Sequence, residues 1–264
     1  MKRLGTNFFS DGLYDKVRHG YTEKLVPELR NIFPGKEPLV LAEFGAGSGA
    51  FTKIIIDAAG FAVEKLHIID PDENGLSLHK EKFSSHSFHK KIIWICGTSE
   101  NSLLPDNSID GIFTAQAFHW FDIGKTRSEW LRITKPQSKI FILSRFNIPV
   151  NTATEEYIAL TRFGKRPQGH KENIEAYSPE KLEFFFGHPV ERRTLCREKE
   201  SKTHDEFMGE MKIRINTSGS AQVIRQSNKI MEKARAFFEK HQINNCVELV
   251  SETFYVCDCF VPLV

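Results

Sequence analysis

The segment PLVLAEFGAGSG, residues 38–49, decides the fold of this chain. It opens on a short, nearly continuous apolar run, Pro38 to Phe44, of the kind found in strands that are covered on both faces. A glycine-rich turn follows at once, and the apolar residues after it recur at helical spacing until Gly60. A buried strand, a tight turn and an amphipathic helix in this order predict the first β-α unit of a parallel sheet.

The same alternation continues along the next hundred residues. The patterns predict strands over 65–69, 91–96, 109–114 and 139–144, and helices over 72–83 and 123–134. Strands that alternate with helices imply right-handed crossovers and parallel pairing. We therefore expect an α/β, Rossmann-like fold, with a seven-stranded, mostly parallel sheet, helices on both faces and a helical lid insertion. Ligands of such sheets bind beyond the carboxyl ends of the strands.

The alternation breaks after Asn147. The remaining patterns predict a helical insertion over 148–189, a strand over 190–196, two helices over about 203–241 and a last strand over 247–261. We expect one domain, 1–264. Its parts are a core of about 36–146 with the last strand, an N-terminal lid of 1–35, and the insertion and later helices over the pocket.

Charge and cysteine usage narrow the classes of partner. The formal net charge is +2, which does not favour nucleic acid or a membrane surface, and the mixed-charge stretch Glu191 to Lys202 is interpreted as solvated surface. Five scattered cysteines and no charged-then-apolar start predict a reducing, cytoplasmic location. Cys257 and Cys259 lie two apart in a predicted strand, so we expect small packing residues and no metal site.

The glycine turn by itself fits more than one nucleotide ligand. Residues 45–50 also satisfy the dinucleotide pattern G-x-G-x-x-G/A, and Asp70, 25 residues after Gly45, could accept both ribose hydroxyls of either kind of ligand. Three features favour a cationic nucleoside ligand over a dinucleotide. Glu43 stands where its carboxylate can approach a cationic ligand, Gly97 to Glu100 suit an adenine edge, and Leu104 to Asp110 lead straight into the fourth strand.

These motifs together resemble a known family. EFGAGSG (43–49), IIDP (68–71), GTSE (97–100) and LPDNSIDGIFTAQAFHWFD (104–122) look like the class I methyltransferases that use S-adenosylmethionine. Within that class, the methyltransferase type 11 group with its trans-aconitate methyltransferase-like members is the nearest likeness. Tyr14 to Tyr21 also resembles the N-terminal segment of that group. The resemblance covers roughly 8–146 and, more loosely, the final strand.

The resemblance implies a set of cofactor contacts. Glu43 and the turn residues Gly45, Ala46 and Gly47 would line the methionine part of S-adenosylmethionine, and Asp70 with Pro71 would hold the ribose. The remaining predicted cofactor contacts are Thr98 and Ser99 at the adenine, Glu100 fixing their loop, Gln116 near the methyl-bearing sulfur, and Tyr14 and Arg18 over the methionine carboxylate. Many relatives have Asp where Thr98 stands, so the adenine contact departs from the usual pattern.

The acceptor side is predicted from fewer signals. His119, just past the fourth strand, is the candidate catalytic base; the alternative is a histidine that only hydrogen-bonds cofactor or backbone. Trp120 and Tyr21 are candidate acceptor contacts. Arg145 could hold an acceptor carboxylate or form an ordinary salt bridge.

The sequence thus predicts an enzyme, an S-adenosylmethionine-dependent methyltransferase acting by in-line displacement on a small molecule such as a carboxylate or an apolar or aromatic metabolite. One alternative is a non-catalytic cofactor-binding regulatory protein of the same fold. A less favoured alternative is a nicotinamide-dependent oxidoreductase, which would need a proton-relay pair such as Tyr-x-x-x-Lys, and we expect no such pair in this chain.

Overall fold

The computed structural model describes residues 20–33, 38–59, 62–161, 173–216 and 221–260. The chain divides into two compact units. The first unit comprises Gly20–Ser144, Glu172–Leu195 and Phe254–Val264, and the described part of the second comprises residues 145–161 and Cys196–Thr253 without 217–220. Tyr14 and Arg18, predicted to contact the cofactor, lie outside the described residues.

Seven strands form one sheet in the order β3-β2-β1-β4-β5-β7-β6. Their bounds are β1 Leu39–Phe44, β2 Val63–Asp70, β3 Ile92–Cys96, β4 Ile109–Ala115, β5 Thr134–Asn147, β6 Arg193–Thr203 and β7 Cys246–Asp258. The helices are α1 Leu25–Ile32, α2 Ala50–Ala59, α3 Glu73–Phe83, α4 Ile123–Ile133, α5 Thr152–Thr161, α6 Pro179–Phe186, α7 His204–Asn216, α8 Ala221–Arg225 and α9 Ser227–His241. β1 pairs in parallel with β2 and β4, β2 with β3, and β4 with β5. The predicted α/β fold with a mostly parallel sheet is confirmed.

Helices cover both faces of β1 in the first unit. Leu41 belongs to a buried cluster with Leu29 of α1 and Ile55 of α2. Phe44, three residues on and therefore on the other face, has its ring centroid 4.9 Å from that of Trp130 in α4. Burial on both faces explains why the sequence of β1 is apolar without alternation.

The second unit has a core of its own. Phe207 of α7 stacks on Phe237 of α9 with 5.3 Å between ring centroids, beside the buried Tyr157 of α5. Ala234 and Phe238 of α9 and Val247 and Leu249 of β7 complete the cluster. The apolar spacing that predicts an amphipathic helix near 223–241 therefore faces this core.

Some predicted bounds are wrong. β5 begins at Thr134 and β6 runs to Thr203, so both strands are longer than their apolar runs indicate. The stretch Glu191 to Lys202 is mostly strand, and Lys202 is buried, so its interpretation as solvated surface holds for one face only. The helical region after 203 forms three helices where two were predicted.

None of the helices in the described ranges has the length and apolar content needed to span a membrane. The single-domain assignment stays a prediction.

Candidate functional site

The turn between β1 and α2 is built on left-handed glycines. Gly45 has φ +69° and Gly49 has φ +86°, a region that L side chains rarely adopt. A Cβ at Gly45 would come within 2.4 Å of the Ala117 Cβ, and one at Gly49 within 2.6 Å of the Phe83 ring. At these two positions, close packing by protein neighbours already requires glycine. The Ala46 side chain is also packed in the core, so only its backbone could reach a ligand.

Glu43 is a buried carboxyl group at the end of β1. Its side-chain Oε2 accepts a hydrogen bond of 2.6 Å from the Thr52 hydroxyl in α2. Burial raises the pKa of Glu43 to about 8, the bond from Thr52 opposes the rise, and the negative charge of Asp70 adds to it. Glu43 therefore holds a proton at neutral pH unless a cation arrives.

Asp70 ends β2 and joins the glycine turn to the start of α3. Its Oδ2 accepts the Gly47 N–H and its Oδ1 accepts the Asp72 N–H, both at 2.9 Å. Burial raises the pKa of Asp70, and these two N–H groups oppose the rise. Each oxygen keeps a further lone pair for a hydroxyl donor. Asp72, and not Asp70, caps α3, because its Oδ1 accepts the N–H groups of Asn74 and Gly75. Pro71 between the two carboxylates is exposed.

The loop after β3 is a tight turn. The Thr98 Oγ1 and backbone carbonyl both accept from the Asn101 N–H. Ser99 is buried and its Oγ accepts from the Thr126 hydroxyl at 3.2 Å, so the Ser99 backbone is the part placed to meet a ligand. The Glu100 Oε1 accepts the Asp122 N–H at 2.9 Å, which ties the turn to the start of α4 as the resemblance implies.

The residues that follow β4 form the remaining part of the candidate site. Gln116 is a non-glycine residue at φ +58°, an uncommon conformation that is enriched at functional sites. His119 and Trp120 follow in a single 3₁₀ turn, with 5.3 Å between their ring centroids, and Trp120 is 38% exposed. Phe118, buried in the same turn, packs edge-on against Phe185 of α6.

A buried tyrosine supports the His119 turn. The Tyr177 ring lies 5.7 Å from that of Phe118, and its hydroxyl interacts with Ser144 and with the backbone of His119. The expectation that the chain has no Tyr-x-x-x-Lys pair is wrong, because Tyr177 and Lys181 have this spacing. Burial raises the pKa of Tyr177, whereas a tyrosine that passes a proton near neutrality needs a lowered pKa. The pair therefore does not support a nicotinamide-dependent oxidoreductase.

The other predicted acceptor residues divide between the units. In the first unit, the Tyr21 ring packs edge-on against Phe51 of α2 at 5.2 Å. In the second unit, the Arg145 guanidinium lies 3.3 Å from the Glu200 carboxylate. The structure therefore gives Arg145 the ion pair that was its alternative interpretation. Within the described residues no cluster of three or more His, Cys, Asp or Glu side chains is arranged to hold a metal ion.

Three residues that sequence reasoning did not select lie directly behind Glu43. They are Thr52 of α2, His79 of α3 and Trp94 of β3, joined to one another by hydrogen bonds. A lone inward-facing polar residue on a helix gives no sequence signal of its partner, so only the folded chain reveals this set.

Comparisons with known proteins point to a methyltransferase domain. The family model of a methyltransferase domain matches residues 42–142, which run from β1 into β5 and contain the described cofactor candidates. An uncharacterized methyltransferase of Schizosaccharomyces pombe is 27% identical over 141 residues, which cover 53% of this chain and 53% of that protein. The chain thus matches about half the length of this relative.

Solved structures share the fold at lower identity. A phosphoethanolamine N-methyltransferase of Haemonchus contortus, in complex with phosphomonomethylethanolamine and S-adenosylhomocysteine, is 17% identical with a TM-score of 0.51, over 96% of this chain and 58% of that one. The [4+2]-cyclase SpnF is 13% identical with a TM-score of 0.54, over 97% and 95%. The likeness to the trans-aconitate group stays a prediction. Residues 42–142 of this chain are thus similar to a methyltransferase domain, in agreement with the predicted class I, S-adenosylmethionine-dependent family.

Proposed function

We propose that this chain binds S-adenosylmethionine at the carboxyl ends of β1, β2 and β4 and transfers its methyl group to a small-molecule acceptor. One observation carries the proposal. Glu43 and Asp70 are buried carboxyl groups, and no lysine, arginine or histidine among the described residues forms an ion pair with either.

A pair of buried carboxyl groups without a cation is costly to the folded protein, because burial penalises their charged form. A ligand that brings an ammonium group to Glu43 and two hydroxyls to Asp70 removes that penalty. S-adenosylmethionine carries its ammonium on the methionine part and its hydroxyls on the ribose. NAD has ribose hydroxyls but no ammonium group to place against Glu43, so the paired carboxyls favour the former.

Methyl transfer from a sulfonium needs alignment more than acid–base chemistry. The leaving group is already in place, so the protein must hold acceptor, methyl and sulfur in line and exclude water. The Gln116 backbone and the His119 turn form the wall that would face the sulfur. His119 is proposed to take a proton from an acceptor that has one to lose, and Trp120, partly exposed beside it, to contact an apolar or aromatic acceptor. The acceptor class and the cytoplasmic location belong to the proposal.

Calorimetric titration tests the cofactor. S-adenosylhomocysteine should bind and NAD should not. Asp70→Ala should weaken S-adenosylhomocysteine binding at least tenfold, since a charge-assisted pair of hydrogen bonds to the ribose is lost. Asp57→Ala removes a carboxylate whose recorded side-chain partner is the exposed Lys53 and should leave the affinity unchanged. Equal affinity in Asp70→Ala and the unmodified protein would show that the ribose assignment is wrong.

Transfer needs its own test, because the fold is shared with a [4+2]-cyclase. The protein is incubated with S-adenosylmethionine and a panel of small carboxylates and aromatic metabolites, and S-adenosylhomocysteine is measured. Release that depends on one acceptor supports methyl transfer. Binding without release across a broad panel would favour the non-catalytic cofactor-binding alternative.

A further inference from the structure

Four side chains of the first unit form a continuous row of hydrogen bonds, here called the relay. The Trp94 Nε1 lies 3.0 Å from the His79 Nδ1, the His79 Nε2 lies 2.8 Å from the Thr52 Oγ1, and the Thr52 Oγ1 lies 2.6 Å from the Glu43 Oε2. His79, Thr52 and Glu43 are buried. The relay therefore leads from β3 through α3 and α2 to the carboxyl group at the end of β1.

Elementary chemistry fixes the direction of each hydrogen bond. An indole N–H can only donate, so the His79 Nδ1 must accept from Trp94. The imidazole is then neutral with its proton on Nε2, and that proton is donated to the Thr52 hydroxyl oxygen. Burial, the largest influence, lowers the pKa of His79 to about 4, in keeping with a neutral ring. Thr52 has one hydrogen left, and it points at Glu43.

Packing holds the His79 ring in this orientation. The ring stacks on Phe83 with 4.7 Å between centroids. A Cβ at Gly49 would lie within 2.9 Å of the ring, so the third glycine of the turn leaves room for the histidine. The glycine turn and the relay are therefore packed directly against each other.

We propose that Trp94, His79 and Thr52 are positioning residues that keep the Glu43 Oε2 as a permanent hydrogen-bond acceptor, so that Oε1 gives up its proton when the ammonium group of the cofactor binds. The inference rests on the proposed function and deepens it. The proton leaves Glu43 Oε1 for solvent, the resulting carboxylate pairs with the ammonium group, and no covalent bond changes.

Cofactor affinity should then depend on pH. Among residues 20–33, 38–59, 62–161, 173–216 and 221–260, the titratable groups that face Glu43 are Asp70 at the end of β2 and, through Thr52, the neutral His79 of α3. The residues paired with Glu43 on the neighbouring strands, Ile68 of β2 and Phe113 of β4, are apolar. Because burial raises the pKa of Glu43 to about 8, affinity should rise about tenfold per pH unit between pH 6 and 7 and level off near pH 8.

The first experiment measures S-adenosylhomocysteine affinity from pH 6 to 8.5 in the unmodified protein, Thr52→Val and Thr52→Ser. Valine keeps the shape but removes the hydrogen that favours the carboxylate. Thr52→Val should therefore bind about tenfold more weakly at pH 7 and level off at a higher pH. Serine keeps the hydroxyl and should restore both the affinity and the profile, an outcome that a packing role alone does not give.

Trp94→Phe tests the far end of the relay, and nitrogen-15 NMR of His79 reports the tautomer without any cofactor. The unmodified protein should show a neutral ring protonated on Nε2 from pH 5 to 8. Trp94→Phe should add the other tautomer and shift the pH at which the S-adenosylhomocysteine affinity levels off to a higher value.

The outcomes separate the two proposals. No binding by the unmodified protein would overturn both the proposed function and this inference. Normal binding with an unchanged profile in Thr52→Val, or an Nδ1-protonated ring in the unmodified protein, would overturn this inference alone.

Discussion

Glu43 and Asp70 in the first unit and Glu200 and Glu210 in the second are four acidic residues with little exposure, yet they differ in what surrounds them. The first two meet hydroxyl and N–H donors only in the contacts that the structure describes. The second two meet cations. Lys202 lies 2.9 Å from Glu210 and 3.4 Å from Glu200, and Arg214 lies 2.7 Å from Glu210.

The pKa of each group follows from that difference. Burial alone would raise the pKa of Glu210, but Arg214, Lys202 and a hydrogen bond from the Tyr157 hydroxyl outweigh it and lower the pKa. At Glu200, Arg145 and Lys202 do the same. At Glu43 no cation from the described part of the chain opposes burial, and its pKa rises to about 8. In the second unit the fold thus supplies counter-charges to its acidic residues, and under the proposed function the ammonium group of the cofactor supplies the one at Glu43.

The largest expected effect on stability comes from removing Glu210, the carboxylate that is paired with cations. Glu210→Ala removes the carboxylate that accepts from the Tyr157 hydroxyl and pairs with Arg214, and it leaves the buried Lys202 with only the longer pair to Glu200. The free energy of unfolding should therefore fall by about 3 kcal/mol. Urea denaturation measures it. Glu248→Ala breaks an exposed pair with Lys199 and should cost at most about 0.5 kcal/mol. Equal losses in the two variants would mean that the buried pairing adds nothing.

A smaller effect, of opposite sign in the two regions, is expected from pH. The folded protein keeps a proton on Glu43 between the ordinary pKa of 4.5 and about 8, while the unfolded chain has lost it. Stability should therefore fall as pH rises through this window, by about 2 kcal/mol after allowance for relaxation of the site. Glu210 has a lowered pKa, so its contribution is present above pH 4.5 and is lost as pH falls below it.

Variants of Glu43 and Glu210 test which residue causes each dependence of stability on pH. Glu43→Gln should flatten the decline between pH 5 and 8, and Glu210→Gln should reduce the loss below pH 4.5, both followed by urea midpoints across pH. A decline between pH 5 and 8 that survives in Glu43→Gln would show that another group causes it.

The smallest effect on stability is expected at Glu43 itself. Glutamine resembles the protonated carboxyl group, so Glu43→Gln should change the free energy of unfolding at pH 5, where titration of Glu43 has cost little, by less than about 1 kcal/mol. The affinity for S-adenosylhomocysteine should nevertheless fall at least tenfold, because an amide cannot become an anion for the ammonium group. A large loss of stability with intact binding would reverse the assignment of Glu43 as a binding residue.

Local patterns were sufficient for the first half of the fold. The apolar run of β1, the glycine turn and the helix of α2 are set by residues that are neighbours in sequence, and α3 begins at Glu73, one residue after the predicted start. Glu43 and Asp70 could be placed at the ends of β1 and β2 for the same reason, since a strand's end is visible in its own burial pattern. β5 and β6 extend beyond their apolar runs because strand pairing with neighbours, and not side-chain periodicity, sets their length.

The sequence by itself determined the fold class, the family resemblance and which loops meet at the ends of the strands, because these depend on periodicity and on short motifs. Only the tertiary structure decided which side chains are partners. Thr52 and His79 are 27 residues apart, and Tyr157 and Glu210 are 53 apart. Such pairs form where separate helices and strands pack together, and in a buried site the presence or absence of one distant cation decides whether a carboxyl group is charged.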